Sequence, residues 1–215
     1  MSARIVPDGD AGRVEAVVVL RAGGVVALPT DTVYGIAVDL AAERGVERLF
    51  EAKRRSPDKG IILLVAAAEQ AGEVGVLDHA ARALADAFWP GGLTLVVPQR
   101  PDVVLPSALT GGAPTIGLRL PDHPAPRALA AGVGPIPTTS ANRSGWPEGR
   151  NAAEIVEQIG DAVDLVLDGG SALGGPASTV VDCTVEGLRI LRAGAVAPAD
   201  VAAALDRAGV SHALG

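Results

Sequence analysis

Short apolar runs alternate with amphipathic stretches along most of this chain of 215 residues. Val25 to Leu28 are all apolar, which is typical of a strand covered on both faces of a sheet. The run from Gly60 to Ala66 has the same character, whereas apolar and polar residues alternate strictly from Thr115 to Leu120. Because strand patterns and helix patterns alternate, the sequence predicts an α/β fold with a twisted, largely covered sheet.

Local signals predict where the helices begin. Asp10 and Asn151 are residue types that cap helix N-termini, and Pro198 suits the first turn of a last helix. The predicted helices cover residues 10–22, 42–53, 67–74, 78–88, 123–131 and 151–160, followed by the one that begins at Pro198. The predicted strands cover residues 25–28, 60–66, 93–97, 115–120, 136–139, 165–167, 179–183 and 188–191. Residues 99–113 are rich in proline and are predicted to be irregular.

The composition favours a single domain. Apolar residues make up 48% of the chain and aromatic residues only 2%, so aliphatic side chains must build the core. No internal repeat, linker or shift in composition divides the chain, and residues 1–215 are therefore predicted to form one domain. The net charge of −7 argues against a broad basic surface for nucleic acid, so any basic site must be local.

Cys183 is the only cysteine, which excludes an internal disulfide or a cysteine-based zinc site and fits a reducing compartment. It lies in a strand-like run, so we expect a buried structural thiol rather than a nucleophile. The longest apolar run, Ile61 to Ala68, is too short to span a membrane, and the N-terminus has no signal-peptide pattern. We therefore expect a cytoplasmic protein that does not enter a membrane.

The first buried strand leads into a turn rich in hydroxyl groups. Pro29 ends regular pairing, and Thr30, Asp31 and Thr32 follow it. In open α/β sheets, ligands bind at the carboxyl ends of strands, so these residues are candidates for a binding site. A turn stabilised by threonine and aspartate side chains explains the segment equally well.

Four cations fall within residues 53–59 of an otherwise acidic protein. If the helix ends near residue 54, Lys53 and Arg55 can face the same way, and Arg55 with Lys59 can clamp a phosphate or carboxylate. A solvated cationic helix C-terminus is the alternative interpretation. In either case we expect Lys53 and Arg55 to be accessible rather than part of the core.

Two later strands also carry polar side chains on one face. In TIGLRLP, residues 115–121, the residues Thr115, Gly117 and Arg119 alternate with apolar positions, and Gly117 leaves room for a ligand to reach the backbone. An amphipathic strand with a solvated polar face is the alternative.

The segment PTTSANRSG, residues 137–145, aligns Thr138, Ser140 and Asn142 when extended, although a polar loop with an Asx turn fits it too. Ser178 and Thr179 either contact a ligand or only begin another strand, and Arg192, near a strand end, is by default a surface arginine. The chain lacks a phosphate-binding GxxxxGK[ST] loop, an HExxH zinc motif and a GxSxG nucleophile elbow. Its hydroxyl, guanidinium and amine groups suit the binding of anions better than covalent catalysis.

Taken together, these segments resemble the YrdC-like family, the threonylcarbamoyl-AMP synthases, over residues 18–194. The resemblance rests on the order and approximate spacing of PTDTVYG (29–35), Lys53 and Arg55 with KGIIL (59–63), WPGG with LT (89–94), TIGLRLP with DHP (115–124), TSANRSG (139–145), PASTVVD (176–182) and LRAG (191–194). It implies the short, single-domain form: a twisted open mixed sheet flanked by helices, with a concave ligand-binding face.

The resemblance also implies an activity. Members of the family combine L-threonine, bicarbonate or carbon dioxide, and ATP with Mg²⁺ to form threonylcarbamoyl-AMP and pyrophosphate, for modification of tRNA at position 37. The resemblance also implies that the protein contacts tRNA or the tRNA threonylcarbamoyl transferase complex transiently. Two alternatives stay open: an RNA-binding accessory protein of the same fold without turnover, and a carbamoyl-transfer module like that of hydrogenase maturation factors.

By resemblance, particular positions take particular roles. Those implied in catalysis are Lys53, Arg55, Ser140 and Asn142. Those implied in ATP binding are Arg55, Lys59, Thr115, Ser140, Glu148 and Arg192. Those implied in threonine binding are Thr32, Leu64, Arg119, Thr138 and Ser178. Leu64 departs from the family pattern, because some members have a histidine there that contacts threonine, and no metal ligand is implied.

Overall fold

A computed structural model describes residues 3–53, 61–172 and 175–214 of the chain. The strands are β1 (Arg4–Pro7), β2 (Val26–Leu28), β3 (Gly35–Ala37), β4 (Ile62–Leu64), β5 (Leu93–Pro98), β6 (Thr115–Arg119), β7 (Ile136–Ser140), β8 (Leu165–Asp168), β9 (Thr179–Asp182) and β10 (Arg189–Arg192). The helices are α1 (Asp10–Arg21), α2 (Gly45–Lys53), α3 (Ala68–Val74), α4 (His79–Phe88), α5 (Ser107–Thr110), α6 (Pro124–Val133), α7 (Ala152–Ile159) and α8 (Pro198–Arg207).

The ten strands form one open mixed sheet in the order β1-β8-β2-β3-β7-β4-β6-β5-β9-β10. Some neighbouring strands are parallel, such as β4 and β6, and others are antiparallel, such as β3 and β7. Strands far apart in sequence are neighbours in space, since β8 pairs with both β1 and β2. The expectation of an open mixed sheet flanked by helices is confirmed.

Helices cover both faces of the sheet. Val26 and Leu28 pack in one cluster with residues of α1 and α6, whereas Val25 and Ala27 belong to a second cluster with residues of α2, α4, α7 and α8. Alternate residues of one strand point to opposite faces, so β2 is buried on both sides. This confirms the interpretation of the apolar run at 25–28.

Most predicted elements are present, with a few differences. Gly9, not Asp10, is the N-cap residue of α1, whereas Asn151 caps α7 by accepting a hydrogen bond from the Glu154 amide as predicted. The prediction missed β1, β3 and the one-turn helix α5. The strands β1 and β3 have only four and three residues, and their pairing partners come from distant segments, so no local pattern identified them.

Cys183 is a structural thiol. It is half-buried against the core, and desolvation together with the carboxylates of Asp78 and Asp182 raises its pKa to about 12. Such a thiol is a poor nucleophile at neutral pH, because the reactive form is the thiolate. Separately, among the helices of the described residues, none combines the length and the apolar character needed to cross a bilayer.

The N-cap residue of α4, Asp78, allows a test of the fold at a position outside the cavity described below. The Asp78 side chain accepts a hydrogen bond from the Ala81 amide at 2.8 Å. Replacing a capping aspartate by alanine leaves that amide without its partner, so Asp78→Ala should lower the free energy of unfolding by about 1 kcal/mol in urea titrations. Asp86→Ala, at an exposed position of the same helix, is the matched control and should change the unfolding free energy by less than half of that.

Candidate functional site

Strand register places a set of polar and apolar side chains on one face of the sheet. Thr138 of β7 pairs with Ile62 of β4, and Leu64 of β4 pairs with Arg119 of β6. Paired residues on neighbouring strands project from the same face, and so do residues two apart on one strand. The helices α1 and α6 cover one part of this face of the sheet. The part around these four residues is open.

The site does not lie at a single edge of the sheet, as the first buried strand had suggested. Ser140 pairs with Gly35, next to the end of β2, as expected for that edge. The backbone of Arg119, however, is level with Ile136, which pairs with Leu64 as Arg119 does. Ile136 is four residues from Ser140 on β7, so Arg119 is displaced from Ser140 by about 13 Å along the strands and by two strands across the sheet. The predicted site residues therefore come from both ends of the strands and not from a single edge.

A cavity of about 180 Å³ lies on this face and opens to solvent. Ligand sites of whole cofactors usually measure about 300–1,000 Å³, so the enclosed part suits a small molecule. Of the predicted residues, those that line it are Thr32, Leu64, Arg119, Thr138, Ser140, Glu148, Ser178 and Arg192.

The Arg119 guanidinium is held by three oxygen atoms. Its Nε donates to the Gly91 carbonyl at 3.0 Å, Nη1 to the Thr32 hydroxyl at 2.9 Å and Nη2 to the Asp31 carboxylate at 2.6 Å. The side chain is only 5% exposed. Burial lowers the pKa of Arg119, Asp31 offsets part of that shift, and nearby Arg192 adds to it. The result is an oriented cation that leaves further N–H groups for a ligand.

Two turns bring these oxygen atoms to Arg119. The WPGG turn, which contains the cis Trp89–Pro90 peptide, presents the Gly91 carbonyl. In the other turn, the Thr30 hydroxyl accepts from the Thr32 amide at 3.1 Å and donates to the Val33 carbonyl at 2.7 Å. The turn interpretation of this segment is therefore confirmed, whereas binding of a ligand by Thr32, which faces the cavity, stays a prediction.

Lys53 forms a second buried cationic centre at the end of α2. Its Nζ donates to the Ser140 carbonyl at 2.6 Å, to the Ser140 hydroxyl at 3.0 Å and to Asn142 Oδ1 at 2.7 Å. The expectation that Lys53 is accessible is wrong, because only 3% of the residue is exposed. The reason is tertiary: α2 packs against β7, so its last side chain points into the structure and not into solvent.

A third set of contacts joins β5, β9 and β10. Arg192 donates from Nε to the Ser178 carbonyl and from Nη2 to the Ser178 hydroxyl, both at 3.0 Å. The Ser178 hydroxyl is also 2.8 Å from the hydroxyl of Thr94. The predicted pair Ser178 and Arg192 is thus one unit, and Arg192 keeps an exposed position at the cavity wall.

Some predicted residues lie elsewhere. Lys53 and Asn142 are not in the cavity wall but directly behind Ser140, which is in it. Thr115 begins β6, four residues from Arg119, and is not among the cavity-lining residues. Arg55 and Lys59 lie outside the described residues, so the structure does not test the clamp that they were predicted to form.

The structure also changes the interpretation of Gly117. A Cβ atom there would lie 3.0 Å from Ile62 Cγ2 and 3.6 Å from Thr94 Cγ2, so the missing side chain allows strands to pack rather than a ligand to enter. Sequence reasoning gave no role to Gly91 and did not connect Asp31, a candidate for the binding site or a turn, with Arg119. The glycine pair of WPGG was a visible signal for Gly91, whereas nothing local connects Asp31 with Arg119, 88 residues away.

A comparison with family models now adds to this geometry. The Sua5/YciO/YrdC model, described as "telomere recombination", matches residues 18–194. The chain belongs to this family. The resemblance that the motifs suggested is therefore confirmed over the same span.

Relatives within the Sua5/YciO/YrdC family are similar to most of the chain. A threonylcarbamoyl-AMP synthase of Bacillus subtilis is 35% identical over 193 residues, which are 89% of this chain and 56% of the relative. One of Stutzerimonas stutzeri is 37% identical over 181 residues, 83% of this chain and 91% of the relative. The crystal structure of Pyrococcus abyssi Sua5 with L-threonine has a TM-score of 0.87 at 33% identity and covers 95% of this chain and 60% of its own. The chain thus spans little more than half the length of the first of these relatives.

The pair of Asp31 and Arg119 should show strong energetic coupling. Removing one partner of a buried ion pair leaves the other charge uncompensated, which costs about 3 kcal/mol. Asp31→Ala should therefore destabilise the protein more than Arg119→Met, because the Asp31 side chain is 17% exposed and water can still solvate it. In urea unfolding, the double variant should be more stable than the sum of the single effects predicts, by about 2 kcal/mol. Additive costs would mean that the two charges do not depend on each other.

Proposed function

We propose that this protein is an L-threonylcarbamoyl-AMP synthase, a nucleotidyltransferase that uses L-threonine, bicarbonate and ATP. The observation that carries the proposal is the convergence of eight predicted substrate residues, from seven separate segments of the chain, on one cavity. Relatives from Bacillus subtilis and Stutzerimonas stutzeri that carry this name support the same choice.

Arg119 is the proposed anchor for the threonine carboxylate. Its guanidinium is buried, pre-oriented by Thr32 and Asp31, and in the cavity wall. A carboxylate binds a guanidinium with directional, charge-assisted hydrogen bonds. Thr138 and the Ser178 hydroxyl offer polar contacts for the rest of the amino acid, and Leu64 supplies an apolar one. The P. abyssi structure with L-threonine supports this choice of substrate.

The ATP phosphates are proposed to lie on the Ser140 side of the cavity. Lys53 behind Ser140 places a positive charge under that wall, and Arg192 provides a second cation. By the family resemblance, Arg55, Lys59 and Thr115 contribute further contacts to the nucleotide. The substrate is ATP with its Mg²⁺, whose charge offsets that of the phosphates.

The reaction needs charge stabilisation more than a protein nucleophile. A carbamate oxygen, formed from the threonine amine and bicarbonate, attacks the α-phosphorus, and the bond to the β-phosphate bridge oxygen breaks to release pyrophosphate. Negative charge accumulates as the two anionic reactants meet, so fixed cations and oriented donors lower the barrier. The product is proposed to serve tRNA modification through a transient encounter with the tRNA-modifying machinery.

The activity itself is directly testable. Purified protein with ATP, Mg²⁺, bicarbonate and L-threonine should release pyrophosphate, and omission of threonine should abolish the release. The adduct should appear as threonylcarbamoyl-AMP in mass spectrometry. Pyrophosphate release that does not depend on threonine would contradict the proposal, and retention of RNA at moderate salt without turnover would favour an accessory RNA-binding role.

Substitutions at Arg119 and Arg192 should affect the KM for threonine and the KM for ATP differently. Arg119→Lys keeps the charge that Asp31 needs but loses the forked geometry, so it should raise KM for threonine about tenfold or more and KM for ATP much less. Arg192→Ala should do the opposite. Arg207→Ala, on an exposed position of α8, is the matched control and should leave both constants unchanged. If Arg119→Lys mainly raised KM for ATP and Arg192→Ala mainly raised KM for threonine, the threonine site and the ATP site would have been assigned the wrong way round.

A further inference from the structure

Glu148 is a carboxylate in the cavity wall. Among the described residues, the other charged residues in that wall are the cations Arg119 and Arg192. Glu148 is partly buried, and within the described part of the chain its carboxylate has no hydrogen-bond or ion-pair partner. Water solvates such a carboxylate while the cavity is open, and a ligand that displaces this water has to supply a partner for the charge.

The loop before α7 holds Glu148 in place. Asn142 Nδ2 donates to the Trp146 carbonyl at 2.6 Å, and the Gly149 amide donates to the Ala141 carbonyl at 3.4 Å. A Cβ atom on Gly149 would lie 2.7 Å from Ile155 Cγ1, so only glycine lets the loop close against α7 here. The position of Glu148 is therefore set by the loop and not by its own side-chain contacts.

The negative charge of Glu148 does not favour a contact with phosphate. By resemblance its position belongs to the ATP site, but a carboxylate repels a triphosphate. Among the proposed reactants, two groups are cations: Mg²⁺ on the nucleotide and the ammonium group of threonine. Either can pair with Glu148, and its neighbours decide between them.

Glu148 lies between the two ends: Gly149 next to it bonds to Ala141 beside Ser140, while Thr32 and Val33 link it to the threonine end of the cavity. Thr32, Val33 and Glu148 together line both the main cavity and a second pocket that adjoins it. Thr32 accepts the hydrogen bond from Arg119, the proposed anchor for the threonine carboxylate. In an α-amino acid, the ammonium nitrogen is bonded to the carbon that carries the carboxylate, so the two groups reach neighbouring partners.

We propose that the Glu148 carboxylate binds the threonine ammonium group and accepts its proton during carbamate formation. This inference rests on the proposed function. The proton balance requires one acceptor: R–NH₃⁺ and HCO₃⁻ give R–NH–COO⁻, water and one proton. Loss of that proton frees the nitrogen lone pair, which forms the bond to the bicarbonate carbon while a C–O bond breaks and the oxygen leaves in water.

Other groups around the cavity do not suit this role. Arg119, Arg192, Lys53 behind Ser140, and Arg150 in the adjoining pocket are cations without a free acceptor site. The Tyr34 hydroxyl accepts from the Gly169 amide and donates to the Gly170 carbonyl, and burial raises its pKa.

Asp31, the other carboxylate near this end, is paired with Arg119. Among the described residues, Glu148 is thus the carboxylate that lines the cavity and is available to the amine.

The test compares Glu148→Gln with Glu157→Gln, which removes the same charge from an exposed position of α7. At pH 7, Glu148→Gln should lower kcat/KM for threonine about 100-fold, with KM for ATP and the Mg²⁺ requirement unchanged. The loss should shrink as the pH rises towards 9, because water then removes the proton from the amine. Glu148→Asp should recover part of the activity, and Glu157→Gln should match the wild type.

A binding measurement provides a readout that does not need turnover. In calorimetry at pH 7, the wild type should bind L-threonine about tenfold more tightly than 2,3-dihydroxybutanoate, which has a hydroxyl in place of the amine. Glu148→Gln should lose this preference. A preserved preference, an unchanged kcat/KM for threonine, or a defect confined to ATP and Mg²⁺ would overturn the inference. A wild type without threonine-dependent pyrophosphate release would instead contradict the proposed function.

Discussion

The site depends on burying an arginine without losing its charge. Transfer of a guanidinium out of water is costly unless oxygen atoms replace the water, and at Arg119 three do so: a carbonyl, a hydroxyl and a carboxylate. These acceptors come from the turn after β2 and from the WPGG turn before β5. The contacts of Arg119 therefore tie two loops to the end of β6, and the turn after β2 also forms part of the cavity wall.

Lys53 is also a buried cation whose charge is stabilised by oxygen atoms. Oxygen atoms of Ser140 and Asn142 surround its ammonium group. Both side chains are thus fixed cations, Arg119 in the cavity wall and Lys53 directly behind Ser140. Two fixed cations agree with the proposed binding of a triphosphate and a carboxylate.

The cavity also reconciles a net charge of −7 with the proposed binding of anionic substrates. Its cations are concentrated on one face of the sheet and are oriented by hydrogen bonds, while the acidic residues are spread elsewhere. Local potential, not net charge, determines what a concave site attracts. Among the described residues, Glu148 is the acidic residue in the cavity wall. Its negative charge indicates a cationic group in the ligand.

The sequence by itself determined the fold class, most of the helices, the central strands and the segments that meet in the cavity. These features follow from local periodicity, caps and short motifs, which act over a few residues. The tertiary structure alone decided that Lys53 is buried, that Asp31 pairs with Arg119, that Gly117 serves strand packing, and that β1 and β3 join the sheet. Each of these depends on contacts between segments far apart in the chain, such as the 88 residues between Asp31 and Arg119. A local pattern contains no information about such a partner, because burial and pairing are properties of the assembled sheet.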